Sequence, residues 1–221
     1  MIERFVLYEI DKLRDTYSLP IGVPAGVKKN YNTSPTQQSP VVLIRDGKRV
    51  IERMDWGFVP DGAKDTNSVF RYKTFTAKAE GIFSKPKWQT AIRSTRCIVP
   101  MNGYFEWVQL PEGKRPFFVH KKNNELFSVA GIYSSWTDAD GKARGMFSVV
   151  TAVIDQTIGS KRSPIVIAPN DEATWLDSNI DDVNDLYGLM LPPNPKEFDR
   201  HMVTSDLKNV KLNDPRVLAA V

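Results

Sequence analysis

The chain has 221 residues, 41% of them hydrophobic and 25% charged, an ordinary globular balance that argues against a disordered or fibrous protein. A net charge of +4, from 30 Lys and Arg against 26 Asp and Glu, is compatible with a polyanionic partner but common to many unrelated enzymes. One cysteine, Cys97, excludes an intramolecular disulfide and a cysteine metal cluster; two histidines far apart in sequence, His120 and His201, leave little material for a zinc site or a Ser-His-Asp triad.

In chain order, residues 9–18 (EIDKLRDTYS) predict a short helix, and the Gly- and Pro-rich tract at 19–40 predicts a long loop. A loop of that length in a compact protein is a candidate binding element, and Lys28, Lys29, Asn30 and Tyr31 within it suit phosphate contact. Two strand patterns flank the dipeptide Asp46-Gly47, a strong hairpin signal. Residues 74–95 read as mostly helix broken near Pro86, and four apolar segments from Arg96 to Ile154 read as an antiparallel meander. Helices at 170–177 and 181–190 and a strand near 200–205 complete the reading. The expected fold is α+β: one domain, 1–221, with a curved, antiparallel, barrel-like sheet and peripheral helices.

The segment CIVPMNGYFEW, Cys97 to Trp107, ends an apolar run with an acid between two rings. Burial there would raise the pKa of Glu106, so that it both gives and takes a proton near neutral pH; a salt-bridged core acid is the alternative. Trp56 and Trp107 stand at strand ends, where an indole either closes a barrel or offers a flat face to a base. Cys97 sits in an apolar strand and reads as a buried structural thiol. His120 and His201 read as strand residues.

Read in order, YNTSPTQ (31–37), WGFVP (56–60), TAKAE (76–80), RCIVPMNGYFEW (96–107), FSVVTA (147–152) and SKRSPIVIAP (160–169) resemble the SRAP family of SOS-response-associated, abasic-site-processing proteins. The resemblance implies a protein that holds single-stranded DNA in a basic groove. It also implies an N-terminal cysteine, freed of its initiator Met, that closes a thiazolidine on the sugar aldehyde of an abasic site. The family's catalytic glutamate falls on Glu106. The other three positions depart from the family: Ile2, after Met1, stands at the nucleophile, Thr76 at the Asn and Ser160 at the His. A bulky Ile2 is expected to leave Met1 in place, and neither Thr nor Ser titrates in a useful range. On the resemblance, Arg4, Asn32, Trp56, Lys78, Trp107, Thr151 and Arg162 are the candidate DNA contacts.

The expected function is therefore a DNA-damage-associated protein that binds single-stranded or abasic DNA with impaired crosslinking. Two alternatives stand beside it: an abasic-site enzyme forming a Schiff base through the N-terminal amine, and a non-catalytic scaffold for a protein or ligand. No cofactor and no metal are expected, and the chain is read as a monomer. No apolar run approaches the ~20 residues of a membrane span, so the expected location is cytoplasmic, on the nucleoid when bound to DNA.

Overall fold

The computed structural model describes residues 2–59, 67–138, 140–153 and 162–221; Met1 and Ser160 lie outside the described residues. No helix among those described is long and apolar enough to cross a membrane.

The strands are β1 (Phe5–Leu7), β2 (Asn30–Thr33), β3 (Gln38–Arg45), β4 (Lys48–Trp56), β5 (Thr76–Lys78), β6 (Arg96–Met101) and β7 (Gly103–Leu110). They continue with β8 (Gly113–Lys121), β9 (Phe127–Thr137), β10 (Ala143–Val153), β11 (Arg162–Pro164), β12 (Val166–Ile167) and β13 (Phe198–Met202). The helices are short: α1 (Leu13–Thr16), α2 (Ser68–Tyr72), α3 (Pro86–Ser94), α4 (Glu172–Leu176) and α5 (Val183–Leu189).

The neighbours β10, β4, β3, β6 and β9 close into a five-stranded barrel, because β9 also pairs with β10 from Thr137↔Ala143 to Gly131↔Val149. A second sheet, ordered β13-β8-β7-β1-β2, is antiparallel throughout. The α+β expectation with a curved, barrel-like sheet holds. The meander does not: its second and third segments, β8 and β9, lie in different sheets, and the barrel is not purely antiparallel, since β10 runs parallel to β4 and to β5, a geometry that needs a long crossover and leaves no local turn signal.

Three other readings change. The segment taken as one strand from Arg96 to Leu110 is two, in different sheets, and Asn102 makes the break. Its Oδ1 accepts from the backbone N–H of Tyr8 (2.9 Å) and Glu9 (3.1 Å), while its Nδ2 donates to Glu9 Oε2 (2.8 Å). Gly103 follows because a Cβ there would collide with the Phe118 ring and lie 2.7 Å from the Val119 carbonyl oxygen. The tract read as helix to either side of Pro86 is helical only from Pro86 onward. Proline takes the first helical turn, where its missing N–H costs nothing, whereas Thr76–Lys78 pairs with β10. The long loop contains β2, which pairs with β1 as Phe5↔Thr33 and Leu7↔Asn30 although Asn is a poor strand former.

The hairpin turns at Asp46 and Gly47 with φ of 50° and 72°, as the dipeptide predicts. The core divides in two. The main cluster gathers Ile2, Phe5, Trp56, Cys97, Tyr104 and Phe147 among others, and a smaller one joins Val6, Phe105 and Phe118 to the C-terminal Val203, Leu207 and Val217.

Candidate functional site

Strand β7 sorts its side chains by period two. Tyr104 packs in the main cluster, whereas Phe105 belongs to the smaller one and Trp107 lies half-buried against it. Glu106 shares the Tyr104 side and is 3% exposed. Neither of its carboxylate oxygens has a hydrogen-bond partner within normal geometry among the described residues. Burial therefore dominates and pushes its pKa up to about 7, against partial relief from the Arg200 guanidinium and the Tyr104 hydroxyl. The Tyr104 hydroxyl makes its well-formed bond elsewhere, to Ser163 Oγ at 3.2 Å, so its hold on Glu106 is weak.

That Tyr104–Ser163 bond joins the Glu106 side of one sheet to β11 of the other. Around β11 four of the predicted residues gather: Val149↔Thr76 and Thr151↔Lys78 pair across β10 and β5, and Val153↔Arg162 across β10 and β11. Arg162 donates to Thr151 O (2.6 Å), to Thr151 Oγ1 (3.3 Å) and to Glu80 Oε2 (2.7 Å), while Glu80 Oε1 accepts from the Val153 N–H (2.9 Å). The Arg162 guanidinium and the Glu80 carboxylate, which that pairing holds below its ordinary pKa, thus brace one another. Thr76 and Thr151 are buried. Lys78 is exposed and takes part in no ion pair among the described residues.

Arg4 stands at the start of β1, opposite Phe105, whose N–H donates to the Arg4 carbonyl at 3.0 Å. Its Nη2 reaches Lys208 O at 3.4 Å, and its Nη1 is buried with no partner. Burial lowers the pKa of this guanidinium but does not discharge it. A cleft of about 240 Å³ opens beside it, lined also by Glu3, Ser34, Phe70, Lys73 and Val210. Phe70, on α2, is 52% exposed. Neither Phe70 nor Lys73 is among the residues expected from sequence, because nothing in VFRYK marks them until α2 places them beside Arg4. Glu106, Lys78 and Trp107 do not line this cleft.

Two expected contacts are spent inside the protein. Trp56 is fully buried, with its ring against Phe5, Phe75 and Phe147 and its Nε1 donating to Phe75 O at 2.8 Å. No indole face is left for a base, and the barrel-closing role accounts for it. Asn32 is 1% exposed, and its Nδ2 lies 3.0–3.1 Å from the carbonyls of Leu207, Asn209 and Leu212, where it pins the C-terminal tail. Cys97 is fully buried, and burial drives its thiol pKa upward. His120 and His201, distant in sequence, have ring centroids 5.5 Å apart across β8 and β13, each bonded to a backbone carbonyl, of Lys121 and Leu218 respectively. Ile2 is 2% exposed and packs in the main cluster.

Residues 1–210 match the model of the family described as SOS response associated peptidase (SRAP). The chain belongs to the SRAP family. It is 28% identical over 224 residues to the abasic site processing protein YoqW of Bacillus subtilis, covering 99% of each chain, and 29% identical over 226 residues to that organism's abasic site processing protein YoaM, covering 100% of this chain and 98% of the other. Among solved structures, a protein from Bacteroides thetaiotaomicron superposes with a TM-score of 0.86 at 24% identity, with 100% of both chains covered, and so shares the fold. In this SRAP chain the most recognisable motifs are largely architectural. NGYFEW supplies the inter-sheet Asn102, the Gly103 approach and the Tyr104 link, and YNTSPTQ supplies the Asn32 clamp and a turn in which Thr36 N–H donates to Trp56 O at 2.8 Å.

Proposed function

We propose that this SRAP chain binds single-stranded DNA at damaged, abasic sites and forms no stable thiazolidine crosslink there. The observation that carries the binding half is the buried, unpartnered Nη1 of Arg4 beside a cleft that also presents Lys73 and an exposed Phe70. A buried cationic donor without an acceptor costs free energy unless an anion completes it. A phosphate with a neighbouring base on the Phe70 ring satisfies both features. The names of the relatives, abasic site processing proteins, favour the same partner.

The chemical half follows from the thiol inventory. Thiazolidine closure needs a sulfur beside an amine; the only cysteine of the chain, Cys97, is fully buried in the barrel, and Ile2 is a core residue. Thr76 and Ser160 at the family's Asn and His positions supply no titrating partner near neutral pH. A second reading keeps Glu106 in use. An N-terminal amine condenses with the ring-opened aldehyde, releasing water to give an imine, and a carboxyl titrating near 7 moves the protons of that step. Without a thiol, water reverses it.

Intact-mass measurement after mixing the protein with abasic single-stranded DNA tests both. The expected spectrum is unmodified protein. A stable adduct formed without reductant contradicts the proposal, and an adduct seen only with borohydride establishes the imine reading. The Ile2→Cys variant is expected to crosslink poorly, since Thr76 and Ser160 remain. For binding, Arg4→Ala should weaken affinity for an undamaged oligonucleotide and flatten the dependence of log Kd on log salt by about 0.7, the loss of one phosphate contact to a single strand. An unchanged slope removes Arg4 from the interface.

A further inference from the structure

A second cavity, of about 260 Å³, lies away from Glu106 and the Arg4 cleft, between the loop that precedes β2 and the edge of the β3–β4 hairpin. Its charged lining is Lys28, Lys29 and Arg53, with no acid. All three are exposed, and none enters an ion pair among the described residues. Among the described residues Arg53 has one hydrogen-bond partner, the Gln38 side chain, to whose Oε1 it donates at 2.6 Å.

The neutral lining completes the pattern. Asn30, Gln38 and Asn213 each present a carboxamide, and each has its oxygen already occupied. Asn30 Oδ1 accepts from the Asn32 N–H (2.9 Å), Gln38 Oε1 from Arg53, and Asn213 Oδ1 from the Tyr31 N–H (2.6 Å). Because those partners are obligate donors, the amide orientations are fixed, and the NH₂ group of each has no protein acceptor among the described residues. A cavity lined by three cations and three carboxamide NH₂ groups without protein acceptors, and by no acid, favours an anion. Gly26 belongs to the same device: a Cβ there would stand 2.8 Å from Arg53 Nη1, so the guanidinium occupies space that any other residue would fill.

We propose that this cavity is a phosphate-binding subsite and that its ligand is a backbone phosphate of the DNA strand that enters beside Arg4. Arg4 and Ser34 flank one end of the β1–β2 pair, and Leu7 and Asn30, three residues along, line the cavity at the other. The separation is about 10 Å at strand rise, more than one phosphate-to-phosphate step of an extended strand and within two. This source rests on the DNA-binding reading above, whereas phosphate recognition as such does not.

The test uses the full chain with all three cations replaced (Lys28→Ala, Lys29→Ala, Arg53→Ala), and separately Gly26→Ala, which displaces Arg53 without removing charge. Inorganic phosphate titrated into labelled protein should shift the amide resonances of residues 26–30 and 53, and both variants should abolish or weaken that response. An oligonucleotide of thymidines should bind the triple variant at least tenfold more weakly, with the salt slope reduced by about 0.7, the loss of one single-strand phosphate contact. If the wild type binds the oligonucleotide and the triple variant binds it equally well with the same slope, the strand assignment is overturned while the DNA-binding reading stands. If the wild type binds no oligonucleotide, the DNA-binding reading and the strand assignment both fall, and shifts with inorganic phosphate alone then assign the cavity to a free phosphate. If phosphate shifts nothing at these residues, the subsite itself is refuted. All three side chains are exposed, so an unchanged melting temperature separates lost binding from lost fold.

Discussion

Arg96→Ala will destabilise the protein by at least about 4 kcal/mol, among the larger effects a single substitution produces. Arg96 is 4% exposed and spends every guanidinium N–H on a backbone carbonyl. Nε donates to Trp175 O (2.6 Å), Nη1 to Ile92 O (2.8 Å) and Arg93 O (2.7 Å), and Nη2 to Asp177 O and Ile180 O (2.8 Å). These carbonyls lie in the last turn of α3, in the last turn of α4 and in the segment that follows it, groups that helices leave unsatisfied. One planar fork thus caps two helices and ties them to the first residue of β6. Alanine takes the donor from five acceptors, of which Asp177 O keeps the Ile180 N–H (3.1 Å), and each buried orphan among the rest costs about 1–3 kcal/mol before relaxation and water entry. Lysine will recover little, because three donors on a point charge cannot span carbonyls from three segments. Urea denaturation of the wild type, Arg96→Ala and Arg96→Lys measures this. A loss below about 1 kcal/mol for alanine would show that water replaces the fork at little cost.

Arg96 also marks the limit of what the linear sequence discloses. It opens RCIVPMNGYFEW and is visible as a motif residue, but its partners come from positions 92 to 180, and only the folded chain brings them together. Locally encoded features were legible. The Asp46-Gly47 hairpin, α4, α5 and β13 rest on turn chemistry and periodicity contained within a few residues. Long-range pairing was not. β5 reads as helix until β10 pairs with it in parallel, and β2 reads as loop until β1 pairs with it antiparallel. The candidate site divides in the same way. The apolar flanks of Glu106 forecast a buried carboxyl with a raised pKa, and both hold in the folded chain. By contrast, a strand's alternation says that Trp56 faces one side but not that Phe5 and Phe147 already fill it. Lys28 and Lys29 were noticed as basic, yet Arg53, which completes their cavity, belongs to a hairpin strand 24 positions beyond Lys29.

Glu106→Gln will stabilise the protein above neutral pH and leave it unchanged in acid, with the crossover set by the carboxyl itself. Folding raises the pKa of Glu106 from 4.5 to about 7, chiefly through burial. Between those values the folded chain binds more protons than the unfolded one, so stability falls as pH rises. Below about 4.5 both states are protonated and the site contributes no penalty; above about 7 the full cost is present. At about 1.4 kcal/mol per tenfold change in proton affinity, the ceiling is about 3 kcal/mol. Glutamine removes the ionisation while keeping the shape, so the stability gap should open between pH 5 and 7 and then level off. Denaturation midpoints at about pH 5 and about pH 8 decide it: an equal gap at both values, or a more stable wild type at the higher one, would mean that Glu106 is paired in solution and carries no such cost. A carboxyl kept where it weakens the fold at neutral pH, with neither oxygen in a well-formed hydrogen bond among the described residues, is poorly explained by packing. A hydrogen-bonding partner from outside the chain accounts for it, and DNA that relieves the cost should raise the stability of the wild type above pH 7 by more than that of Glu106→Gln.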